Sequence, residues 1–175
     1  HTGIRRQRQM CIRDSTDSAG NAGNIDIDGA VVLEDNITFT TNNANLDFDS
    51  TIKSDATARN LTISTGSGTV GIGGNIGGTT STDLAAIKIN ESAGGGAITL
   101  SGNIGTTSVF GATTIEIGNA DTTSLSLDGS FYSSDDAQTY KADAYALGGT
   151  DPDFASTGDN IIFHDGGTTT AFVLG

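Results

Sequence analysis

One seven-residue pattern recurs along the chain, with apolar residues at its first, third and seventh positions and glycine or serine at its fifth. The copies are IDIDGAV (25–31), LDFDSTI (46–52), VGIGGNI (70–76), ITLSGNI (98–104) and LSLDGSF (125–131), with a looser copy, IIFHDGG, at 161–167. They begin 21, 24, 28, 27 and 36 residues apart. Such spacing is typical of a solenoid, in which each repeat is one turn of the chain.

A second alternating segment follows most copies of this pattern. These segments are ITF (37–39), LTI (61–63), IKI (87–89), IEI (115–117) and FVL (172–174), and residues 140–147 are assigned to the remaining interval. Alternation places every second residue on one face of a strand. Each turn is therefore predicted to contain two short strands, with the Gly- and Ser-rich intervals at the corners.

These patterns predict an all-β fold, a parallel β-helix with right-handed coils, about five to six in number. Stacking coils at about 4.8 Å would bury the apolar pairs in continuous columns. One predicted column is Ile25, Leu46, Val70, Ile98, Leu125 and Ile161, and its neighbour is Ile27, Phe48, Ile72, Leu100, Leu127 and Phe163. The glycine or serine that follows is predicted to allow a sharp turn. An antiparallel sandwich is the alternative, but recurrence of one motif favours the solenoid.

The first fifteen residues are set apart from this fold. The string RRQRQMCIRDS at 5–15 resembles the translation of a sequencing-library adapter, and it contains the only cysteine and the only methionine of the chain. We therefore expect 1–15 to be a non-native, disordered segment, 16–23 a flexible lead-in and 24–175 a solenoid repeat fragment truncated at its C-terminal end. A basic targeting arm is the alternative, but the apolar stretch of a signal peptide is missing.

The excess of acidic residues limits the kinds of molecule that the chain is expected to bind. The formal net charge is −13, which argues against nucleic acid and against anionic lipid surfaces. No run of about 18 apolar residues exists, so membrane insertion is not expected. Without cysteine beyond residue 15, neither a disulfide framework nor a thiolate metal site is expected.

The first two coils carry the one candidate metal site. Asp26 and Asp28 alternate with apolar residues, and Asp47 and Asp49 do so in the same register. Stacked coils would place Asp26 beside Asp47 and Asp28 beside Asp49, where like charges repel. A Ca²⁺ ion, which takes oxygen ligands, would offset this repulsion. A solvated acidic face is the simpler alternative, and no other cofactor is expected.

Other short motifs predict structure rather than chemistry. The GxGxxG match GSGTVG (66–71) precedes a Gly-rich stretch instead of a helix, so it is predicted to be a turn and not a dinucleotide site. His164 has no second histidine or cysteine near it in the sequence and is predicted to face outward on a strand. Asn36, Asn60 and Asn90 stand in Asn-x-Ser/Thr sequences and are predicted to begin strands or occupy turns.

Two stretches carry a family resemblance, GSGTVGIGGNIGGTTSTDLAAIKI (66–89) and QTYKADAYALGGTDPDFASTGDNIIFHDG (138–166). Both resemble the β-strand repeats of filamentous-haemagglutinin-like adhesins, large exported proteins of Gram-negative bacteria. The resemblance implies a secreted or outer cell-surface location and a structural shaft without catalysis. It implies as partners the neighbouring coils of the same parent chain and, beyond them, glycans or surface proteins of a host or the environment. It carries no catalytic residues to this chain.

Two alternatives of other classes remain open. A secreted carbohydrate-active β-helix enzyme, a lyase or glycosidase, would need clustered carboxylates, and a lyase would also need basic residues. Beyond residue 15 only Lys53, Arg59, Lys88 and Lys141 are basic, and they are scattered over three coils. An S-layer or matrix protein with a sandwich fold is the other alternative, for which calcium dependence and lateral self-assembly would be expected.

Overall fold

The computed structural model describes residues 13–14, 23–78 and 82–166, and this part of the chain consists of strands and loops without helices. It winds into a parallel β-solenoid of about six turns. The predicted all-β parallel solenoid is therefore confirmed, and the antiparallel sandwich is wrong because all but one of the strand pairings among the described residues are parallel. Among the described residues, no helix is long and apolar enough to cross a membrane.

Each turn contributes to three ladders of strands, numbered here in chain order. The first ladder consists of β2 (Ile25–Ile27), β5 (Leu46–Phe48), β8 (Val70–Ile72), β10 (Ile98–Leu100), β12 (Leu125–Leu127) and β15 (Tyr145–Leu147). The short strand β1 (Arg13–Asp14) pairs with β2 and is antiparallel to it. The sequence pattern predicted the first five rungs of this ladder, and these are confirmed.

The second and third ladders form the rest of the wall. The second contains β3 (Val31–Leu33), β6 (Ile52–Ser54), single bridges at Ile76 and Ile104, β13 (Phe131–Ser134) and β16 (Asp153–Ser156). The third contains β4 (Ile37–Thr40), β7 (Asn60–Ser64), β9 (Leu84–Ile89), β11 (Ala112–Gly118), β14 (Gln138–Ala142) and β17 (Ile161–Asp165). The two ladders join where β11 pairs with both β13 and β14. The second ladder was predicted only as a point of re-entry into the core.

The predicted sixth rung of the first ladder is wrong. The strand β15, and not β17, pairs with β12, while Ile161 lies beside Gln138 and Phe163 beside Tyr140 in the third ladder. The interval 140–147, predicted as one strand, contains the end of β14 and all of β15. The error arises because an apolar-x-apolar triplet is common to both ladders, so the triplet alone does not tell them apart. The predicted strand at 172–174 lies outside the described residues.

The core is the column of inward-facing side chains from all three ladders. Leu46, Ile52 and Leu61 are fully buried, and burying such a side chain contributes about 1.5–3 kcal/mol. In the last coils aromatic rings replace the aliphatic side chains. The rings of Tyr132 and Phe154 stack with centroids 5.0 Å apart, and those of Tyr140 and Phe163 stack at 4.8 Å.

The position at which the fifth coil re-enters the core differs from the prediction by one residue. Tyr132, and not Phe131, pairs with Ile104 and is fully buried. At this corner Asn103 Oδ1 accepts both the Ser130 N–H at 2.7 Å and the Phe131 N–H at 3.1 Å, so the longer turn keeps its backbone amides paired. The Tyr132 hydroxyl is hydrogen-bonded inside the core, where it accepts the Gly129 N–H at 2.8 Å. Burial raises the pKa of Tyr132 to about 12.

The chain bends at the fifth position of the motif, as predicted, but glycine is not needed there for its backbone conformation. Gly74 and Gly102 are not in the left-handed region, so they do not serve to supply an unusual φ. A Cβ on Gly102 would lie 2.2 Å from the Gly74 carbonyl oxygen, and one on Gly74 would lie 2.3 Å from the Ser50 carbonyl carbon. At Gly74 and Gly102 successive coils therefore approach too closely for a side chain, whereas the second coil has Ser50 at the same position of the motif.

Asparagine side chains bond one coil to the next at other corners. Asn36 Oδ1 accepts the Asn60 N–H at 2.9 Å, and Asn75 Oδ1 accepts the Asn103 N–H at 2.9 Å. Asn90 is buried in a left-handed conformation (φ 48°), and its Oδ1 accepts the Thr65 N–H at 2.9 Å. The prediction that Asn36, Asn60 and Asn90 occupy turns and strand starts is confirmed.

Candidate functional site

The predicted acidic group lies on the outward side of the first two rungs of the first ladder. The register places Asp26 beside Asp47, as predicted. Carboxylate oxygens of Asp26, Asp28 and Asp49 lie within 4.8 Å of one another, and all three residues are exposed. The structure thus brings together three of the four predicted ligands. Asp47 does not belong to this group and is partly buried.

The electrostatics of Asp47 reflect its position between other carboxylates. Its pKa is raised, first by burial and then by the negative charges of Asp26 and Asp49. The next rung carries Gly71 at this position, where a Cβ would lie 2.3 Å from Asp47 Oδ1. The column of carboxylates therefore ends after two coils. Three carboxylates offer oxygen ligands of the kind Ca²⁺ takes, although Ca²⁺ needs six to eight, and calcium binding stays a prediction.

A groove that the sequence did not indicate lies at the corner where the second ladder meets the third. Its volume is about 330 Å³. Four successive coils contribute its lining, which consists of Ala56, Ala58, Asp83, Leu84, Phe110, Ala112, Thr113 and Asp135. The groove thus combines small and apolar side chains with one aromatic ring and two carboxyl groups.

One wall of the groove is a loop held by an ion pair. The guanidinium of Arg59 donates from Nε to Asp55 Oδ1 at 3.2 Å and from its terminal nitrogen to Asp55 Oδ2 at 3.1 Å. The Thr57 N–H also donates to Asp55 Oδ1, at 2.8 Å. These hydrogen bonds lower the pKa of Asp55. The bidentate pair fixes the short loop that exposes Ala56 and Ala58 to the groove.

Another part of the lining is the loop 105–111, which contributes Phe110. The Ser133 hydroxyl lies 3.1 Å from the Ile104 carbonyl oxygen and 3.2 Å from that of Val109. Gly105 has φ +78°, and a Cβ there would lie 2.2 Å from Ser133 Oγ. The loop is thus fixed to the next coil by a buried serine, so the phenyl ring is held on an ordered support.

The two carboxyl groups of the groove differ in their surroundings. Asp83 Oδ1 is buried and has no hydrogen-bond partner within the described chain. Burial raises the pKa of Asp83, and a hydrogen bond from the Gly78 backbone opposes this. Asp135 is exposed, and its Oδ1 accepts a hydrogen bond from the Thr157 hydroxyl at 3.0 Å. Among the described residues of the lining, Asp83 Oδ1 is therefore a buried oxygen without a hydrogen-bond partner.

The remaining sequence motifs lie where the sequence predicted, one on the outer face of a strand and one at a turn. His164 is exposed on β17 beside Lys141, and its carbonyl oxygen accepts the Tyr145 hydroxyl. The GSGTVG segment forms a turn, with Gly66 at φ +61°. A Cβ on Gly68 would lie 2.1 Å from the Ala44 carbonyl oxygen, so this glycine allows the close stacking of two coils.

The sequence does not indicate the groove, because the residues that line it lie outside the repeated pattern. Phe110 offers the only signal: it is an aromatic residue in the turn-rich interval GTTSVFG, out of step with both strand patterns. Nothing in the sequence marks Asp83 as different from the other aspartates.

Comparison with known proteins adds no relative to this picture. No family model, curated protein or solved structure matches the chain. The fold, a parallel β-solenoid of about six turns, is therefore established from the strand pairing alone.

Proposed function

We propose that this chain is a structural shaft segment of a large secreted or surface-exposed bacterial protein of the adhesin type. The observation that carries the proposal is the continuous core that runs through all the described coils under three strand ladders. A chain built this way transmits load along its axis through backbone hydrogen bonds between neighbouring coils. The resemblance of 66–89 and 138–166 to filamentous-haemagglutinin-like repeats supports the same function.

The mechanism of such a segment is mechanical. Each coil pairs with the next, so the natural partners of the end coils are neighbouring coils of the same parent chain. Outward threonine, serine, asparagine and aspartate side chains offer hydrogen bonds that repeat from coil to coil. Glycans or surface proteins would make many weak contacts of this kind, and such contacts add up through multivalency.

A carbohydrate-active enzyme is the second candidate, because the groove contains Asp83 and Asp135. A glycosidase requires two carboxyl groups across its substrate. A lyase acting on acidic sugars would also need a basic residue, and the groove lining in the described chain includes none. This disfavours a lyase and leaves a glycosidase as the enzyme to be tested against the shaft. The S-layer alternative depended on a sandwich fold, which the parallel pairing excludes.

The test has two parts. The uninterrupted coding sequence of the parent protein should show further copies of the seven-residue pattern and a secretion domain. A parent consisting of a short enzyme, with this solenoid as its catalytic domain, would contradict the proposal. In the second part, the 175-residue chain is incubated with a panel of neutral and acidic polysaccharides and reducing ends are measured. Turnover that disappears in Asp83→Asn would favour the enzyme instead.

A further inference from the structure

The chain has a single proline, and the residue before it has an unusual backbone conformation. Asp151, which precedes Pro152, lies in the left-handed region at φ 47°. A proline ring favours extended conformations of the residue before it, because it clashes with the N–H and Cβ of that residue otherwise. A left-handed φ also brings Cβ close to the carbonyl group of the same residue. Asp151 is thus strained, and its Cβ is held close to the bond that joins it to Pro152.

The surrounding fold keeps this turn from relaxing. On one side, Gly149 lies so close to the previous coil that a Cβ there would be 2.1 Å from the Gly129 carbonyl oxygen. On the other side, the Asp153 N–H donates to the Ser130 carbonyl oxygen at 2.9 Å, where β16 begins. Only residues 150–152 bridge these two fixed points. Backbone strain persists in a folded chain where the neighbouring contacts determine the conformation in this way.

An aspartyl–prolyl bond can be hydrolysed by the aspartate itself. A carboxylate oxygen, acting as the nucleophile, attacks the main-chain carbonyl carbon of the same residue and forms a cyclic anhydride. The C–N bond to proline breaks, and the proline nitrogen leaves with a proton from the solvent. Water then opens the anhydride, so the net reaction is hydrolysis of one peptide bond. Asp151 is exposed, so the solvent can supply both the proton and the water.

We propose that the Asp151–Pro152 bond is a self-cleavage site, at which the folded chain hydrolyses itself in mildly acidic solution. Asp151 is the catalytic residue, because its carboxylate forms the new bond. The strain at φ 47° is released when the C–N bond breaks, and the position of Cβ favours closure of the anhydride ring. This inference rests on the turn alone and does not depend on the shaft function.

This combination of features occurs at one place in the described chain. The non-glycine residues with positive φ there are Asn43, Asn90 and Asp151. Of these, only Asp151 has a carboxyl group and is followed by proline. The secondary amine released from proline is more basic than the primary amine released from other residues, so it leaves more readily in acid. Cleavage is therefore expected at a single bond.

The experiment measures cleavage of the full 175-residue chain in buffers between pH 4 and pH 7. Fragments 1–151 and 152–175 are quantified by mass spectrometry under denaturing conditions, because strand pairing would otherwise keep β16 and β17 on the previous coil. The reference without strain is the peptide acetyl-GGTDPDFA-amide, which has the sequence of residues 148–155. At every pH at which circular dichroism shows a folded chain, we expect cleavage about tenfold faster in the chain than in the peptide. Both rates should rise as pH falls, since the leaving nitrogen must be protonated.

Variants identify the group that acts. Asp151→Asn should abolish cleavage, because the carboxylate nucleophile is lost. Pro152→Ala should slow cleavage at least about tenfold, because both the strain and the better leaving group are lost. Asp153→Asn, which changes an exposed aspartate on the other side of the proline, should leave the rate unchanged. If a variant does not fold, the comparison of the unaltered chain with the peptide decides the matter.

Three results would overturn the proposal. Cleavage of the peptide as fast as that of the folded chain would show that the turn does not promote the reaction. Cleavage that continues in Asp151→Asn, or that stops in Asp153→Asn, would mean that the carboxylate of Asp151 is not the nucleophile. Fragments that arise mainly from another peptide bond would show that this turn is not the site.

Discussion

The close approach of coils at the glycine corner leads to a prediction that can be tested with a matched pair of variants. Gly29 and Gly102 occupy the same position of the seven-residue motif. A Cβ on Gly102 would lie 2.2 Å from the Gly74 carbonyl oxygen and 2.3 Å from its carbon, whereas one on Gly29 would meet nothing within 4 Å. We expect Gly102→Ala to destabilise the solenoid and Gly29→Ala to be tolerated.

The magnitude follows from what the added methyl group would displace. The Gly74 carbonyl cannot move alone, because backbone hydrogen bonds on both sides hold the two coils together: Ser101 N–H to the Ile72 carbonyl at 2.9 Å, and Ile76 N–H to the Asn103 carbonyl at 2.8 Å. Overpacking of this kind costs about 1–3 kcal/mol. Alanine also reduces the entropy of the unfolded chain, which contributes about 0.4–1 kcal/mol in favour of the folded state.

The net expectation is a free energy of unfolding lower by about 1–2 kcal/mol for Gly102→Ala and higher by about 0.4–1 kcal/mol for Gly29→Ala. Urea unfolding monitored by circular dichroism measures both, and an unchanged dependence on urea shows that the same transition is compared. If the two variants are equally stable, close coil approach is not the reason for glycine at this corner.

Three further predictions concern polar groups. Asn90→Ala should lower the free energy of unfolding by about 2–4 kcal/mol, because the buried Thr65 N–H loses its acceptor and alanine is strained at φ 48°. Asn90→Gly should recover about 1 kcal/mol of this loss, since glycine is not strained at this φ. Equal losses in the two variants would exclude backbone strain. Asp47→Asn should raise the melting temperature at pH 7 but not at pH 3. The pKa of Asp47 is raised in the folded chain, so ionisation of this carboxyl group destabilises the fold only as pH rises through that pKa. An equal rise in melting temperature at both pH values would contradict this. Millimolar Ca²⁺ should raise the melting temperature of the natural chain but not of Asp28→Asn, if Asp26, Asp28 and Asp49 hold the ion; a melt that is the same in calcium and in chelator would refute calcium binding.

The sequence predicts the first ladder well because its inward pairs alternate strictly and a small residue follows each of them. The same pattern does not give the correct register in the last coils, where two aromatic residues, Phe131 and Tyr132, are adjacent in the sequence. Counting from Leu125 selects Phe131 as the re-entering residue, but Tyr132 pairs with Ile104 instead, at a corner where Asn103 accepts two backbone amides. A pattern of apolar positions carries no information on which backbone amides a side chain on the preceding coil will bind.

The acidic group and the groove differ in how far the sequence predicts them. Asp26 and Asp47 were placed side by side correctly, because alternation within a strand and stacking of equivalent strands determine the pairing. The absence of Asp47 from the three-carboxylate group depends on side-chain torsions, which the pattern does not contain. The groove requires four coils and two irregular loops to meet, so Phe110 and Asp83 can be brought together only by the folded chain.

The corners, and not the strands, explain how this solenoid tolerates turns of different length. From Asn24 to Asn45 is 21 residues and from Asn75 to Asn103 is 28, yet in both pairs the first side chain accepts the backbone N–H of the second. The register is thus fixed again at a corner in each of these coils, and residues added elsewhere in the turn leave the next rung in place. The loop 105–111 that carries Phe110 lies in such an extended turn. Functional variation on this scaffold is therefore expected in the loops between fixed corners, where a change of length or side chain does not disturb the ladders.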